Sequence, residues 1–175
     1  MVETRQDKLD AALPLSLHIS ISEQRLRMYD GLGQVLSSYA VSTAANGVGA
    51  RAGSYCTPLG RHLIRAKIGF GQPENTVFVG RRPTGEHYSP ALARQFPERD
   101  WILTRILWLS GCEPGFNRLG AVDTMRRYIY IHGSPDTVRM GAPGSHGCVR
   151  MRNADIVELF DRVQPYTQVL IEAGL

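Results

Sequence analysis

The sequence is short of lysine, of cysteine and of long hydrophobic runs. Lys8 and Lys67 are its only lysines, so the net charge of +4 at pH 7 comes almost wholly from arginine. Arginine forms bidentate pairs with carboxylates and phosphates, which suits a peptide rich in carboxylates or a nucleic acid. The arginines are scattered and no nucleic-acid-binding motif is present, so we expect no nucleic-acid partner.

No apolar run approaches the roughly 20 residues that a membrane-spanning helix needs, so we expect no membrane span. The segment LPLSLHISIS near the N-terminus alternates polar and apolar residues like a strand, and no cleavage site follows it. A signal peptide instead has a continuous apolar core. If the chain begins at its natural start, this pattern indicates a cytoplasmic protein. If a signal was removed, a periplasmic location is the alternative.

The cysteine count is odd, which argues against a disulfide framework. Cys56 and Cys112 could pair in an oxidising compartment, but free buried thiols are the expectation. The chain has no CxxC or HExxH pattern, and the His-x-Cys spacing of His146 and Cys148 suits a tetrahedral ion poorly. A zinc site of His132, His146 and Cys148 is therefore the weaker alternative, and we expect no metal and no other cofactor.

The hydrophobic pattern predicts a mainly β protein. Residues 1–175 are of a length for one domain with a sizeable core, and no repeats or low-complexity tracts are present. One helix is predicted after Asn153, the expected N-cap, with Asp155 in its first turn and an apolar stripe behind it. The pattern predicts strands over Leu15–Ile21, Arg25–Tyr29, Gln34–Val41, Arg61–Lys67, Tyr128–His132, Cys148–Arg152 and Thr167–Ile171, and a central strand over Trp101–Leu109, which is apolar on both faces. Mostly strand with one or two helices indicates a mixed sandwich-like or barrel-like fold.

Three segments between these strands lack periodicity. Residues 42–57 form a Gly-rich loop that is either a solvated connection or a wall of a substrate groove. Residues 110–125 form a second Gly-rich loop, which could cap the cleft. Residues 69–97 carry four prolines and are typical of a functional loop or a lid, with one or two helical turns over 90–96. Three side chains in this last segment are candidates for binding acidic groups, or else solvated surface: Arg81, Arg82 and His87.

The stretch YIYIHGSPDTVRMGAPGSHGCVRMRNAD, residues 128–155, carries the chemistry. A free cysteine thiol with a pKa of about 8.5 is only a few per cent thiolate at neutral pH, so Cys148 needs a base. His132, at the end of the neighbouring strand, could supply it, and the carbonyl of Gly133 could hold the imidazole in the right tautomer. Gly147 frees backbone N–H groups that could bind an oxyanion. The combination predicts nucleophilic catalysis, against the alternative of structural Cys and His side chains.

Two further features bear on substrate binding. Tyr128, Tyr130 and His132 share one face of their predicted strand, while the isoleucines between them share the other, buried face. Arg105 interrupts an otherwise apolar strand, and a buried arginine must be paired or face a site. Arg126 and Arg127 are expected to be solvated.

The segment HGSPDTVRMGAPGSHGCVRM resembles the active-site signature of the L,D-transpeptidase catalytic domain family of the YkuD type. In that signature HG is followed at a distance by SHGC and an arginine. The similarity extends through SISEQRLRMYDGLGQVLSSYAVST, TPLGRHLI and TRILWLSGCEPGFNRLGAVDTMRRYIYIHG, and so covers nearly the whole chain. The resemblance implies the same β-rich fold.

The resemblance also assigns roles to residues. It implies that Cys148 is the nucleophile, that His132 is its base and that the Gly133 carbonyl orients the base. The supporting oxyanion and motif positions are Ser145, His146 and Gly147. The candidates for substrate binding are Arg150, Tyr130 and Arg105.

The reaction implied by the resemblance is cleavage of the L,D bond between the diamino acid and D-Ala of a peptidoglycan stem tetrapeptide, through a thioester. Water as acceptor makes the enzyme an L,D-carboxypeptidase of murein recycling, which we favour for a chain without an export signal. An amine acceptor makes it a periplasmic transpeptidase that forms 3→3 crosslinks or exchanges D-amino acids. Carbapenem-type inhibitors are expected to acylate Cys148. A non-catalytic domain that binds peptidoglycan fragments is the alternative of another class.

Overall fold

The computed structural model of the protein describes residues 14–174. The strands in this range are β1 Ser16–Ser20, β2 Arg25–Tyr29, β3 Val35–Ala40, β4 Gly60–Ile68, β5 Thr76–Val79, β6 Arg82–His87, β7 Ile102–Gly111, β8 Tyr130–Ser134, β9 Val149–Arg152 and β10 Gln168–Glu172. The helices are α1 Pro90–Gln95 and α2 Asn153–Arg162, with a 3₁₀ turn at Gly120–Val122. The chain before Pro14, which enters the argument about a signal peptide, lies outside the described residues.

The ten strands belong to one sheet in the order β3-β2-β1-β10-β4-β7-β5-β6, and β8 leaves this path by pairing with β7 and β9. β1 with β10 and β8 with β9 are parallel pairs. The sheet is curled into a half-barrel, so the predicted mainly β, barrel-like fold is confirmed. Between residues 14 and 174, no helix has the length and hydropathy that crossing a membrane requires.

Helix α2 packs against β7, β8 and β9. Its side chains Ile156, Leu159 and Phe160 are buried among the aliphatic side chains of these strands. Complete burial of one such side chain stabilises the fold by about 1.5–3 kcal/mol. Lys67 on β4 holds the C-terminal end of the helix, because its Nζ donates to the Val163 carbonyl at 2.7 Å. The helix therefore fixes the two strands from which the candidate site is built.

The predicted strands are present with their ends displaced by two residues or fewer, and β8 is the instructive case. Tyr128 has a φ of 56° and lies in a turn, so the strand begins at Tyr130. Gly133 was expected to end this strand, and that is wrong because the strand continues to Ser134. Glycine is needed there because a Cβ would lie 2.6 Å from the Leu103 carbonyl oxygen. The isoleucine face is buried as predicted, but Tyr130 on the other face is buried too.

The expectation that Asn153 caps α2 is also wrong. Asn153 is the first residue of the helix, and the cap position is Arg152. The buried Asn153 amide instead accepts a hydrogen bond from Thr104 Oγ1 at 2.6 Å and donates one to Asn75 Oδ1 at 3.0 Å. Asp155 lies in the first turn as predicted. Because a buried amide must find partners, tertiary contacts override the local capping preference.

Residues 69–97 contain a hairpin and a helix, so the expected lack of regular structure is wrong, while a functional or lid role of this segment stays a prediction. Pro83 and Gly85 hide the alternation of β6, and proline is tolerated there because β6 is the last strand of the sheet order. The helical turns predicted over 90–96 are confirmed as α1. Ser89 caps this helix by accepting a hydrogen bond from the Leu92 N–H at 3.1 Å, and Pro90 occupies its first turn.

The loop of residues 110–125 folds back on β4. The Asn117 amide donates to the carbonyls of Leu59 and Arg61, each at 3.0 Å. Its residues do not line the cavity beside Cys148, so the structure does not support a capping role. The three cysteines of the chain are free in this structure.

Candidate active site

Cys148 directly precedes β9, and the parallel pairing of β9 with β8 places it beside Tyr130. The half-buried thiol accepts a hydrogen bond from the Tyr130 N–H at 3.3 Å and donates one to the Tyr128 carbonyl at 3.4 Å. Burial raises the pKa of Cys148 to about 12, although the Tyr130 N–H and the arginines Arg150 and Arg127 act to lower it. The thiol is therefore protonated near neutral pH and needs a base to become nucleophilic.

His132 is completely buried on β8. Its Nδ1 lies 2.7 Å from the Gly133 carbonyl oxygen, which is the predicted contact. With Nδ1 donating to that carbonyl, the lone pair is on Nε2. Nε2 has no hydrogen-bond partner among residues 14–174, and burial lowers the pKa of His132. His132 is thus a neutral imidazole with an unused acceptor, while the Cys148 thiol is bonded to Tyr128 rather than to it.

Asp100 joins the candidate site, which the sequence did not predict. Its Oδ1 accepts a hydrogen bond from Arg150 Nη2 at 2.8 Å, and its Oδ2 lies 3.6 Å from His146 Nδ1. Burial raises the pKa of Asp100, but His132 and His146, when their imidazoles are protonated, and the Arg150 guanidinium outweigh burial and hold this pKa below its usual value. The carboxylate is therefore ionised. The only sequence signal is one acidic residue two positions before β7, which is too common to single out.

The loop that carries Cys148 is fixed by hydroxyl groups. Ser145 Oγ donates to the Cys148 carbonyl at 2.5 Å and accepts from the Gly147 N–H at 3.2 Å. The Ser145 N–H donates to the Thr43 carbonyl, and Thr57 Oγ1 donates to the Gly147 carbonyl at 2.9 Å. The loop of residues 42–57 therefore packs on the cysteine loop. This holds for the ends of the loop, whereas its middle, which includes Asn46, Arg51 and Tyr55, is exposed as a solvated connection would be.

Two cavities meet at Asp100 and His146. The cavity that holds Cys148 measures about 480 Å³ and is lined by Gly80, Arg81, Asp100, Ile102, Arg127, Tyr128, Ile129, Tyr130, His146 and Cys148. A neighbouring cavity of about 350 Å³ is shared by Asp100 and His146 and adds Arg150. The structure thus brings together Cys148, His146, Tyr130 and Arg150 of the predicted site residues.

Arg105 lies elsewhere. Its Nη1 donates to the carbonyls of Gln72 and Thr104, both at 2.6 Å, and its guanidinium lies over the Phe160 ring. Arg105 lines neither of these two cavities. It is a buried arginine paired with carbonyl oxygens, and it holds the loop before β5 against α2.

Arg126 is exposed as expected, but Arg127 is half-buried and bonded to backbone rather than free in solvent. It donates to the carbonyls of Gly49 at 3.1 Å and Cys56 at 2.7 Å, and burial lowers its pKa. Arg127 therefore attaches the loop of residues 42–57 to the turn before β8. Among residues 14–174 no group of three His, Cys, Asp or Glu side chains is placed to hold a metal ion.

The family model named YkuD, described as the L,D-transpeptidase catalytic domain, matches residues 14–171. No curated protein sequence matches the chain.

Solved structures share the fold at low sequence identity. An L,D-transpeptidase from Mycobacterium smegmatis has a TM-score of 0.58 and 16% identity, with 91% of this chain and 59% of that protein covered. L,D-transpeptidase 3 from Mycobacterium tuberculosis, in complex with a faropenem-derived adduct, has a TM-score of 0.56 and 14% identity, with coverage of 91% and 60%. A mutant L,D-transpeptidase from Enterococcus faecium has a TM-score of 0.55 and 16% identity, with coverage of 91% and 50%. The chain thus spans between half and three fifths of the length of these proteins.

Proposed function

The chain belongs to the L,D-transpeptidase catalytic domain family, and from this we propose that it is a cysteine-dependent acyl-transfer enzyme acting on peptidoglycan stem tetrapeptides. The observation that carries the proposal is the environment of His132. Its Nδ1 is fixed by the Gly133 carbonyl, its Nε2 is buried without a partner, and Cys148 sits on the adjacent strand. An imidazole with one nitrogen oriented and the other unused beside a thiol is the arrangement that nucleophilic catalysis requires.

In the proposed first step, Cys148 turns from the Tyr128 carbonyl to Nε2 of His132 and transfers its proton there. Apo structures often hold such groups too far apart, and the pair tightens only when substrate binds. The thiolate then attacks the carbonyl of the bond between the diamino acid and D-Ala. When the C–N bond breaks, His132 returns the proton to the departing D-Ala amine, and a thioester on Cys148 remains.

The oxyanion formed in this step needs N–H donors. The Gly147 N–H is already bonded to Ser145 Oγ at 3.2 Å, so we propose the Cys148 N–H as one donor, held in place by Ser145. Removing one donor of this kind typically slows an enzyme by a factor of about 100–1,000.

We propose that water resolves the thioester, with His132 as the base, which makes the protein an L,D-carboxypeptidase of murein recycling. Supporting this is the second cavity, which reaches Asp100 and His146 and is lined in part by the charged side chains of Glu98 and Arg99. This lining offers water a route to the thioester. The family and the names of the structural neighbours favour a second candidate, an amine acceptor from another stem. We propose a cytoplasmic location for the hydrolase and a periplasmic one for the transpeptidase.

The test is mass spectrometry of the products formed from a disaccharide tetrapeptide, with and without an excess of a D-amino acid. Tripeptide and free D-Ala, unaffected by the acceptor, support hydrolysis. Crosslinked dimer or exchanged tetrapeptide supports transpeptidation. The Cys148→Ala variant is the control: we expect no turnover and an unchanged circular dichroism spectrum, and residual activity above about one tenth would refute the nucleophile. Turnover by Cys148→Ala equal to that of the wild type would refute catalysis at this site altogether. If the wild type binds the tetrapeptide but does not cleave it, the protein is a domain that binds peptidoglycan fragments.

A β-lactam provides a second test of the same cysteine. The Mycobacterium tuberculosis neighbour was solved with an adduct derived from faropenem, a β-lactam of the penem class, and we propose that carbapenems, which carry the same reactive lactam, acylate Cys148 here. The expected result is a mass increase equal to the carbapenem in the wild type and none in Cys148→Ala. An unchanged wild-type mass after incubation contradicts this.

A further inference from the structure

The hairpin between β5 and β6 places an arginine in the cavity that holds Cys148. Gly80 and Arg81 form its two-residue turn with φ angles of 54° and 64°, the left-handed pair of a type I′ turn. Glycine and asparagine are usual at both positions, whereas a long side chain is disfavoured there. Such strain persists only where surrounding contacts hold the residue, and it is found often at ligand sites.

Three aromatic side chains hold the Arg81 guanidinium. Its Cζ lies 4.6 Å from the ring centre of Trp108 and 4.9 Å from that of Tyr128, which are cation–π distances. Its Nη1 donates to the Tyr130 hydroxyl at 3.0 Å. Tyr130 also contacts the nucleophile, because its N–H donates to the Cys148 sulfur at 3.3 Å. One residue therefore fixes both the arginine and the thiol.

Within residues 14–174, no acidic side chain is paired with Arg81, and its one hydrogen bond is the one to Tyr130. A guanidinium has five N–H donors, so the others are available to a ligand. Arg150 differs, because its guanidinium is engaged by Asp100 and by the Gly144 carbonyl at 3.0 Å. Of these two arginines, only Arg81 has a charge that is not already paired with a carboxylate.

We propose that Arg81 forms a carboxylate-binding subsite that fixes a carboxylate of the peptide next to the carbonyl attacked by Cys148. Arg81 and Cys148 line the same cavity of about 480 Å³, and a guanidinium binds a carboxylate through two parallel hydrogen bonds. The assignment rests on the proposed function. Two carboxylates can lie near the scissile bond of a stem tetrapeptide: that of the terminal D-Ala and, where the diamino acid is a dicarboxylic one, that of its side chain. Both present the same chemistry to Arg81.

Kinetics with three substrates distinguish these sources: the tetrapeptide, its C-terminal amide and its analogue amidated on the diamino acid. For the wild type we expect kcat/KM on one of the two amides to be roughly 10- to 100-fold lower than on the tetrapeptide. The amide that is affected identifies the carboxylate that Arg81 binds. In Arg81→Met, kcat/KM on the unmodified tetrapeptide should fall by a similar factor. The variant should then have equal kcat/KM on the tetrapeptide and on that amide. Arg82→Met is the matched control, since Arg82 is exposed and does not line the cavity. Continued discrimination by Arg81→Met overturns the proposal.

Alkylation of the resting enzyme tests the subsite without turnover. Rates for iodoacetate and iodoacetamide at Cys148 are measured by peptide mapping, which separates this thiol from Cys56 and Cys112. We expect the alkylation rate with iodoacetate, divided by the rate with iodoacetamide, to fall roughly fivefold in Arg81→Met and to stay unchanged in Arg82→Met. If the wild type cleaves no tetrapeptide, the proposed function fails and the alkylation ratio still decides the subsite. Equal ratios in the wild type and Arg81→Met would show that Arg81 binds no anion.

Discussion

The Asp100 carboxylate accepts a hydrogen bond from the Arg150 guanidinium, with 2.8 Å between Oδ1 and Nη2. Its other oxygen lies 3.6 Å from Nδ1 of His146. The negative charge of Asp100 also acts to raise the pKa of His132, against the larger lowering by burial. One carboxylate thus connects the histidine and the arginine of the SHGC-x-Arg motif with the proposed base.

Replacing this carboxylate should change the pH dependence of turnover. In Asp100→Asn the charge that favours the imidazolium of His132 is lost, so the pKa of His132 falls further. Because His132 must be neutral to accept the thiol proton, the acidic limb of the kcat profile should move to lower pH. We also expect kcat to drop roughly 10- to 100-fold, because the imidazolium formed after proton transfer is less stabilised.

The measurement is the pH–rate profile of Asp100→Asn beside Asp136→Asn, whose side chain is exposed in the loop after β8. The Asp136 variant should keep the wild-type profile. A lower kcat in Asp100→Asn with an unmoved acidic limb would mean that Asp100 only holds Arg150 in place.

Gly133 should be intolerant of any side chain, for a packing reason. A Cβ at this position would lie 2.5 Å from Asn153 Oδ1 and 2.6 Å from the Leu103 carbonyl oxygen. We expect Gly133→Ala to lower the free energy of unfolding by roughly 3 kcal/mol, as overpacking of a core does. The shift of β8 should also displace the carbonyl that orients His132, so turnover should be lost.

Urea unfolding of Gly133→Ala and of Gly144→Ala compares the two glycines. A Cβ on Gly144 would meet the Ser42 hydroxyl at 3.3 Å and the Arg150 Nη1 at 3.8 Å, so this variant should be much less destabilised. Similar free energies of unfolding for the two variants would contradict the close approach of β7 to Gly133.

These residues also show how far the sequence determines the fold and the site. The apolar pattern located eight of the ten strands of residues 14–174, because most of their apolar side chains face the core, and the HG and SHGC segments located His132 and Cys148. The ends of β8 were misplaced because the left-handed φ of Tyr128 depends on its turn. Asn153 was misread because its partners, Thr104 and Asn75, are distant in the sequence. Asp100 was missed for the same reason, since only the folded chain brings it to Arg150.

His62 should make the stability of the protein depend on pH. The side chain is buried, with Nδ1 3.0 Å from the Gly60 carbonyl oxygen and Nε2 3.0 Å from Thr124 Oγ1. Burial lowers its pKa from 6.5 to about 4. Below pH 6.5 His62 is therefore protonated in the unfolded chain, but in the folded chain it stays neutral down to about pH 4. The stabilisation is complete above pH 6.5 and is lost as the pH falls through this window, by up to about 3 kcal/mol.

Chemical denaturation at intervals between pH 7 and pH 4 measures this slope. His62→Gln keeps a polar side chain at the position but cannot titrate, so its free energy of unfolding should fall less steeply with acidification. His87→Gln is the control, because His87 is exposed and should leave the wild-type slope intact. His132 is buried as well and its pKa is also lowered, so part of the slope should survive in His62→Gln. If the free energy of unfolding of His62→Gln falls with pH as steeply as that of the wild type, other groups cause the acid sensitivity. Protonation of His62 would then not destabilise the folded protein.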